Sequence, residues 1–168
     1  LEKVMSATID IRPATEQDAP AIARLVGSLI AQYGLPVPPD LASTLARDGF
    51  GERSFFKAFL AERAGVAVGV VLFYPVYHPS RGAPGLFMED LVVSAEARGE
   101  GIGRRLLNHL AAYAQANGYV GIEWTVAASN TAAQTFYARN KATRLDGKTH
   151  WEIAGPDLAR FADAAMPD

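Results

Sequence analysis

Residues 97–103 read ARGEGIG and stand directly ahead of a leucine-rich run, RRLLNHLAAYAQANG. Ordering Gly99, Gly101 and Gly103 so close together is costly, because glycine loses the most backbone freedom on folding. A glycine-rich turn between a strand and a helix suits an anion. N–H groups at a helix N-terminus lack intrahelical partners, the helix dipole favours negative charge, and no Cβ blocks close approach. The dinucleotide pattern G-x-G-x-x-G would need glycine at position 104, where Arg104 stands, and the Walker pattern G-x-x-x-x-G-K-[ST] is absent. What remains is Arg98-x-x-Gly101-x-Gly103, which is neither nucleotide fingerprint; a tight turn with no ligand is the alternative. A second candidate lies in NTAAQTFYARN, where Asn130 and Tyr137 are seven residues apart and share a helix face. On its own, the Phe136-Tyr137 pair reads as core packing. His78, His109 and His150 are far apart and show no H-E-x-x-H spacing, so no metal site is expected. No G-x-S-x-G is present, which leaves a hydrolase elbow unsupported.

The elements that must carry these residues follow from periodicity. TIDIRPA alternates around Ile9 and Ile11 and reads as a first strand, and Thr15 with Asp18 resembles a capping box. Ile22, Leu25, Val26, Leu29 and Ile30 form one helical stripe that ends near Gly34. A second helix is expected from Asp40 to Arg47, closed by Gly49. FFKAFLAER and VAVGVVLFYPVY flank Ala64-Gly65 as a hairpin, HPSRGAPG reads as a loop, and LFMEDLVV as a strand ending at Ser94. Leu106, Leu107, Leu110 and Ala114 face one way on the next helix, which Gly118 stops. YVGIEWTV is a strand, Asn130 caps a helix, HWEIA is a last strand, and PDLARFADAA a closing helix. This order is that of a mixed α/β or α+β layer fold.

Composition bounds the reading. The chain has 168 residues, fitting one domain, with residues 1–8 expected as an N-terminal tail and 9–168 as a single domain. A net charge of -2 gives no nucleic-acid footprint, and no partnership with nucleic acid or membrane is expected. The N-terminal residues lack the apolar core of a signal peptide, consistent with a cytoplasmic protein. Cysteine is absent, which excludes disulfides, thiolate zinc sites and a cysteine acyl-enzyme.

Arg98-x-x-Gly101-x-Gly103, following EDLVV, resembles the coenzyme A pyrophosphate loop of the GNAT N-acetyltransferase superfamily. NTAAQTFYARN resembles that family's helix that begins with Asn and carries Phe-Tyr. IRPAT, DGFGERSFF, EDLVV, ARGEGIG, NTAAQTFYARN and HWEI together are similar to the diamine (spermidine/spermine) N-acetyltransferase branch, from about Ile9 to Phe161. The resemblance implies a mixed, mostly antiparallel twisted sheet flanked by helices, acetyl-CoA as co-substrate, a small-molecule amine acceptor and a homodimer. It implies that Leu91, Val92 and Val93 offer backbone groups to the pantetheine arm. Arg98, Gly99, Glu100, Gly101, Ile102, Gly103 and Arg104 would cradle the pyrophosphate, and Asn130, Thr131, Ala132 and Ala133 would meet the coenzyme again. Two cations at a helix start are poorly placed for the dipole, which favours phosphate binding for at least Arg104. Tyr137 would be the general acid. Glu89 and Asp90 would lie by the acceptor amine, with Glu123, Trp124 and Thr125 lining its site.

The departures bear on the acceptor. The branch carries an acidic cluster after the first helix, where this chain has QYGLPVPPD; Asp-Pro-Trp in the later loop becomes His78-Pro79-Ser80; and an acidic residue near the last tryptophan becomes Thr149, before Trp151. Polycations need carboxylates to hold them, so a smaller, less cationic or amino-acid-like amine gains ground. Such an amine must attack unprotonated, yet only about one in 10³ is neutral at pH 7. Glu89 is the candidate base, or it binds the ammonium alone. Backbone N–H groups near Leu91 and Val92 would stabilise the oxyanion if the strand splays there, and Tyr137 would protonate the thiolate. Without cysteine, direct transfer in a ternary complex is the economical route. The alternatives are a non-catalytic acyl-CoA-binding module and an acetyltransferase for protein N-termini or lysines.

Overall fold

The computed structural model describes residues 8–147 and 149–163. Of the expected N-terminal tail only Thr8 is among them, and Ala164 and Ala165 at the end of the expected closing helix lie outside them. Five strands form one sheet in sequential order: β1 (Ile9–Pro13), β2 (Lys57–Arg63), β3 (Val66–His78), β4 (Ala83–Val93) and β5 (Ile122–Glu123). The first four pair antiparallel and β5 runs parallel to β4. This is the mixed, mostly antiparallel α/β sheet expected from the sequence. The β2–β3 hairpin turns at Ala64 and Gly65, both at positive φ (49° and 77°), as a two-residue turn matched to strand twist requires.

Helices cover both faces. On one, Ile22, Leu25 and Val26 of α1 (Ala19–Gln32) pack on Ala58, Leu60, Val70, Leu72 and Val92. On the other, α3 (Ile102–Ala116) buries Ile102, Leu106, Leu110 and Ala114. Phe59 and Phe73 stack there with ring centroids 5.1 Å apart, and both meet Tyr113 edge-on. Gly69 on β3 lets α3 sit close: a Cβ there would come within 3.1 Å of Leu106 and 3.2 Å of Ile102. The shorter α2 is Leu41–Gly49, so Gly49 ends the helix rather than following it.

Three elements differ from expectation. The HPSRGAPG loop shrinks to a short 3-10 turn, Pro79–Arg81, and Gly82, because β3 and β4 pair as far as His78 and Ala83. The strand expected over YVGIEWTV reduces to β5, which among the described residues pairs with Leu86 and Phe87. HWEIA forms no strand: Trp151 is 89% exposed, and alternation alone does not make a strand without a ladder partner.

The chain forms two compact units, one up to Ala127 and the other from Ala128 onward. The first holds the sheet with α1, α2 and α3; the second holds α4 (Thr131–Arg139) and α5 (Pro156–Asp163).

Candidate active site

The pairing of β3 with β4 slips at one point. Leu72 faces Asp90 but Phe73 faces Met88, so Glu89 is an extra residue on β4. Such a bulge bends the strand and re-aims its side chains. Leu72 belongs to the core under α1, so its cross-strand partner Asp90 is turned to that face. Burial pushes the Asp90 carboxyl up to about 6, with the charge of Glu89 adding to the effect. Glu89 itself is exposed, and one carboxylate oxygen accepts a 2.9 Å hydrogen bond from the Tyr74 hydroxyl. Tyr74 stacks on its cross-strand partner Phe87 at 5.4 Å. Burial and the neighbouring carboxylate push the Tyr74 phenol up to about 12, which keeps it a hydrogen-bond donor at any ordinary pH.

Glu123 on β5 is in register with Phe87, so Tyr74, Phe87 and Glu123 share one sheet face. His78 completes the row, its Nε2 3.7 Å from a Glu123 oxygen. Gly85 makes room for it, since a Cβ there would lie 2.5 Å from that nitrogen. The first unit thus brings Glu89 to the hydroxyl of Tyr74 and Glu123 into register beside Phe87, the partner on which Tyr74 stacks. Trp124 and Thr125 follow β5 directly. Beyond Phe87 no pairing of β4 with β5 is seen among the described residues, while Leu91, Val92 and Val93 pair on their other side with Val71, Val70 and Gly69 of β3.

The glycine turn follows a 3-10 turn at Ala95–Ala97. Gly99 and Gly101 take φ of 82° and 78°, with open space where a side chain would be. Gly101 caps α3, whose ladder begins with Arg105 N–H donating to the Gly101 carbonyl at 3.0 Å. The N–H groups of Ile102, Gly103 and Arg104 therefore precede the first intrahelical bond and point out of the helix end. The Ile102 side chain is buried, so only its backbone is available to a ligand. Arg98 Nε donates to the Val93 carbonyl at 3.2 Å and ties the turn to β4. The two adjacent arginines part company. Arg105 donates to the Ile9 carbonyl at 2.6 Å, whereas Arg104 is exposed and has no side-chain partner among the described residues. Glu100 pairs with Arg63 at the end of β2. This donor-rich, uncluttered helix end fits a diphosphate such as that of coenzyme A.

In the second unit, Asn130 caps α4, its Oδ1 accepting from Ala133 N–H at 3.1 Å. Thr131, Ala132 and Ala133 form the first turn, and Tyr137 lies further along with its ring edge-on to Phe136 at 5.1 Å. Two contacts carry no motif in the sequence: Tyr74 reaches Glu89 across the β3–β4 pairing, and Arg63 reaches Glu100 in the glycine turn. Among the described residues no group of three or more His, Asp or Glu is placed to hold a metal, and no helix is long and apolar enough to cross a membrane.

The acetyltransferase (GNAT) family model matches residues 24–141, a span holding the sheet from β2 to β5, the glycine turn and α4. This chain belongs to the GNAT family. It is a GNAT acetyltransferase: acetyl-CoA supplies the acyl group and an amine accepts it. The chain is 29% identical to the human spermidine/spermine N(1)-acetyltransferase-like protein 1 over 94% of its own length, but spans only 24% of that relative. It is also 29% identical to thialysine N-epsilon-acetyltransferase of Sus scrofa, covering 86% of this chain and 90% of the relative. An integron cassette protein from the mobile metagenome of V. cholerae superposes with a TM-score of 0.83 at 25% identity, over 95% of this chain and 99% of the other.

Proposed function

We propose that this GNAT acetyltransferase acts on a small primary amine of the diamine or lysine-like amino-acid class. The observation that carries the reading is Glu89, an exposed carboxylate at a strand bulge with one oxygen fixed by Tyr74. The acetyl thioester supplies an activated acyl carbon; the residues supply orientation and proton handling. The free oxygen of Glu89 receives the acceptor ammonium and takes its proton, directly or through a water, which releases the neutral amine for attack. Phe87 and Tyr74 give the methylene chain an apolar floor. Glu123 meets a second cation, with the His78 ring beside it, its Nε2 3.7 Å from a Glu123 oxygen. Two flanking carboxylates suit a short acceptor better than a long polycation. Backbone groups of Leu91, Val92 and Val93 hold the pantetheine and the acyl oxygen. The turn from Arg98 to Arg104 holds the pyrophosphate, Asn130 to Ala133 hold the coenzyme again, and Tyr137 donates a proton to the departing sulfur. The relatives named for thialysine and for spermidine/spermine support the two acceptor classes.

The test mixes purified protein with acetyl-CoA and a panel of thialysine, lysine, a short diamine, spermidine and an unblocked peptide, and follows free thiol. Turnover should be greatest with thialysine or the diamine. Preference for the peptide would overturn the small-amine reading. Tyr137→Phe should lower kcat by roughly 10–10⁴; an unchanged kcat would remove Tyr137 from the acid's role.

A further inference from the structure

The glycine turn contains an acidic residue where a polyanion is expected to bind. Glu100 sits between Gly99 and Gly101, immediately ahead of the α3 N-terminus. An uncompensated carboxylate there would repel a diphosphate and cancel part of the helix-end attraction. Its charge is met from another element. Arg63, the last residue of β2, sends a guanidinium nitrogen to the Glu100 carboxylate. Within this part-exposed side chain Arg63 Nε is buried and has no hydrogen-bond partner among the described residues. Such a placement leaves a donor unsatisfied, a cost of a size that the pairing with Glu100 can offset. The other side chains around the turn are differently engaged: Arg98 on the Val93 carbonyl, Arg105 on the Ile9 carbonyl and Arg104 in solvent.

We propose that Arg63 is a positioning residue for the coenzyme: it neutralises Glu100 and holds that carboxylate against the β2 end, away from the diphosphate. Arg63 acts through Glu100 rather than on the ligand, and this rests on the reading of the turn as the pyrophosphate site. With the pair intact, the turn presents backbone N–H groups and the Arg104 cation. With Arg63 removed, Glu100 returns its full charge to the turn and is free to compete for those same donors.

Calorimetric titration with coenzyme A, which needs no knowledge of the acceptor, reads the effect. Arg63→Gln should weaken binding about tenfold at low ionic strength, and the loss should shrink to about threefold or less near 1 M salt. Adding Glu100→Gln in the same chain should restore affinity to within about twofold of Glu100→Gln alone, because no charge remains to be neutralised. Equal weakness of the single and double variants would overturn the proposal and make Arg63 a mere brace of the turn. Wild-type affinity in Arg63→Gln would overturn it too. Should Arg63→Gln fail to fold, Glu100→Gln decides alone: it must bind at least as tightly as wild type, and weaker binding sinks the idea. Absence of coenzyme A binding by the wild type would instead remove the pyrophosphate reading, and the inference with it.

Discussion

Tyr74 and a phenylalanine in its place would differ by one oxygen, and that oxygen is the one that holds Glu89. Tyr74→Phe keeps the stack on Phe87 and so isolates the hydrogen bond. A bond to an ionised carboxylate is worth about 1.5–3 kcal/mol when buried, less at an exposed residue such as Glu89. The expected loss in kcat/KM is thus roughly 3–30-fold. In a Glu89→Gln background the same substitution should cost almost nothing further, whereas additive losses would show that Tyr74 acts elsewhere. Asp90 behaves differently from its neighbour. Burial pushes its pKa up to about 6, above the ordinary 3.8 of an aspartate, so the folded state prefers the protonated acid. The resulting cost to stability is absent below about pH 4, grows between the two values, and is complete above pH 6. Asp90→Asn should therefore raise Tm at pH 8, through a gain in unfolding free energy of about 1–2 kcal/mol once solvent access to this part-buried group is allowed for, and leave it unchanged near pH 4. Equal effects at both pH values in thermal melts would contradict the buried-carboxyl account. Glu89 and Asp90 were both legible in the sequence as a carboxylate pair. Their division of labour was not, because it depends on which face each one meets.

At the scale of elements, the bulge in β4 and the seating of α3 set the site. The bulge turns Asp90 inward and coincides with the loss of pairing to β5. On the far side of the bulge YVGIEWTV, strand-like in composition, pairs with β4 over Ile122–Glu123, with Val120 and Gly121 adding backbone bonds to Pro84 and Leu86. The seat of α3 depends on Gly69, whose missing Cβ leaves space for Ile102 and Leu106. Gly69→Ala should push the helix start from the sheet, costing about 1–3 kcal/mol and weakening coenzyme A binding several-fold. Retained stability with retained affinity, by melting and calorimetry, would show that the seat is not tight. The glycines of the turn announced themselves in sequence through spacing. Gly69, an isolated glycine in a strand, carried no signal of the helix it admits.

At the scale of the whole molecule, the exposed apolar residues after α4 bear on assembly. Trp151, Ile153, Leu158 and Phe161 are 89%, 49%, 59% and 68% exposed. On α5, Leu158 and Phe161 are three residues apart and share a face. We propose that the chain is a homodimer, with this segment contributing to the interface. Sedimentation should give a dimer at micromolar concentration, and Trp151→Ser with Phe161→Ser should shift it toward monomer. A wild-type monomer under those conditions would refute the homodimer.

Local spacing was enough to determine the class of fold, the glycine turn ahead of α3 and the helix that Asn130 caps and that carries Tyr137. Glycine positions, cap residues and hydrophobic periods act within a few residues of chain, so they can be read in one dimension. Tertiary structure alone decided that Tyr74 grips Glu89, that His78 meets Glu123 across the sheet, that Arg105 is spent on β1 while Arg104 stays exposed, and that Arg63 answers Glu100 from 37 residues away. The first two depend on strand register and the others on how α3 and the glycine turn seat against the sheet, and register is set by how the whole sheet buries its faces rather than by any one strand.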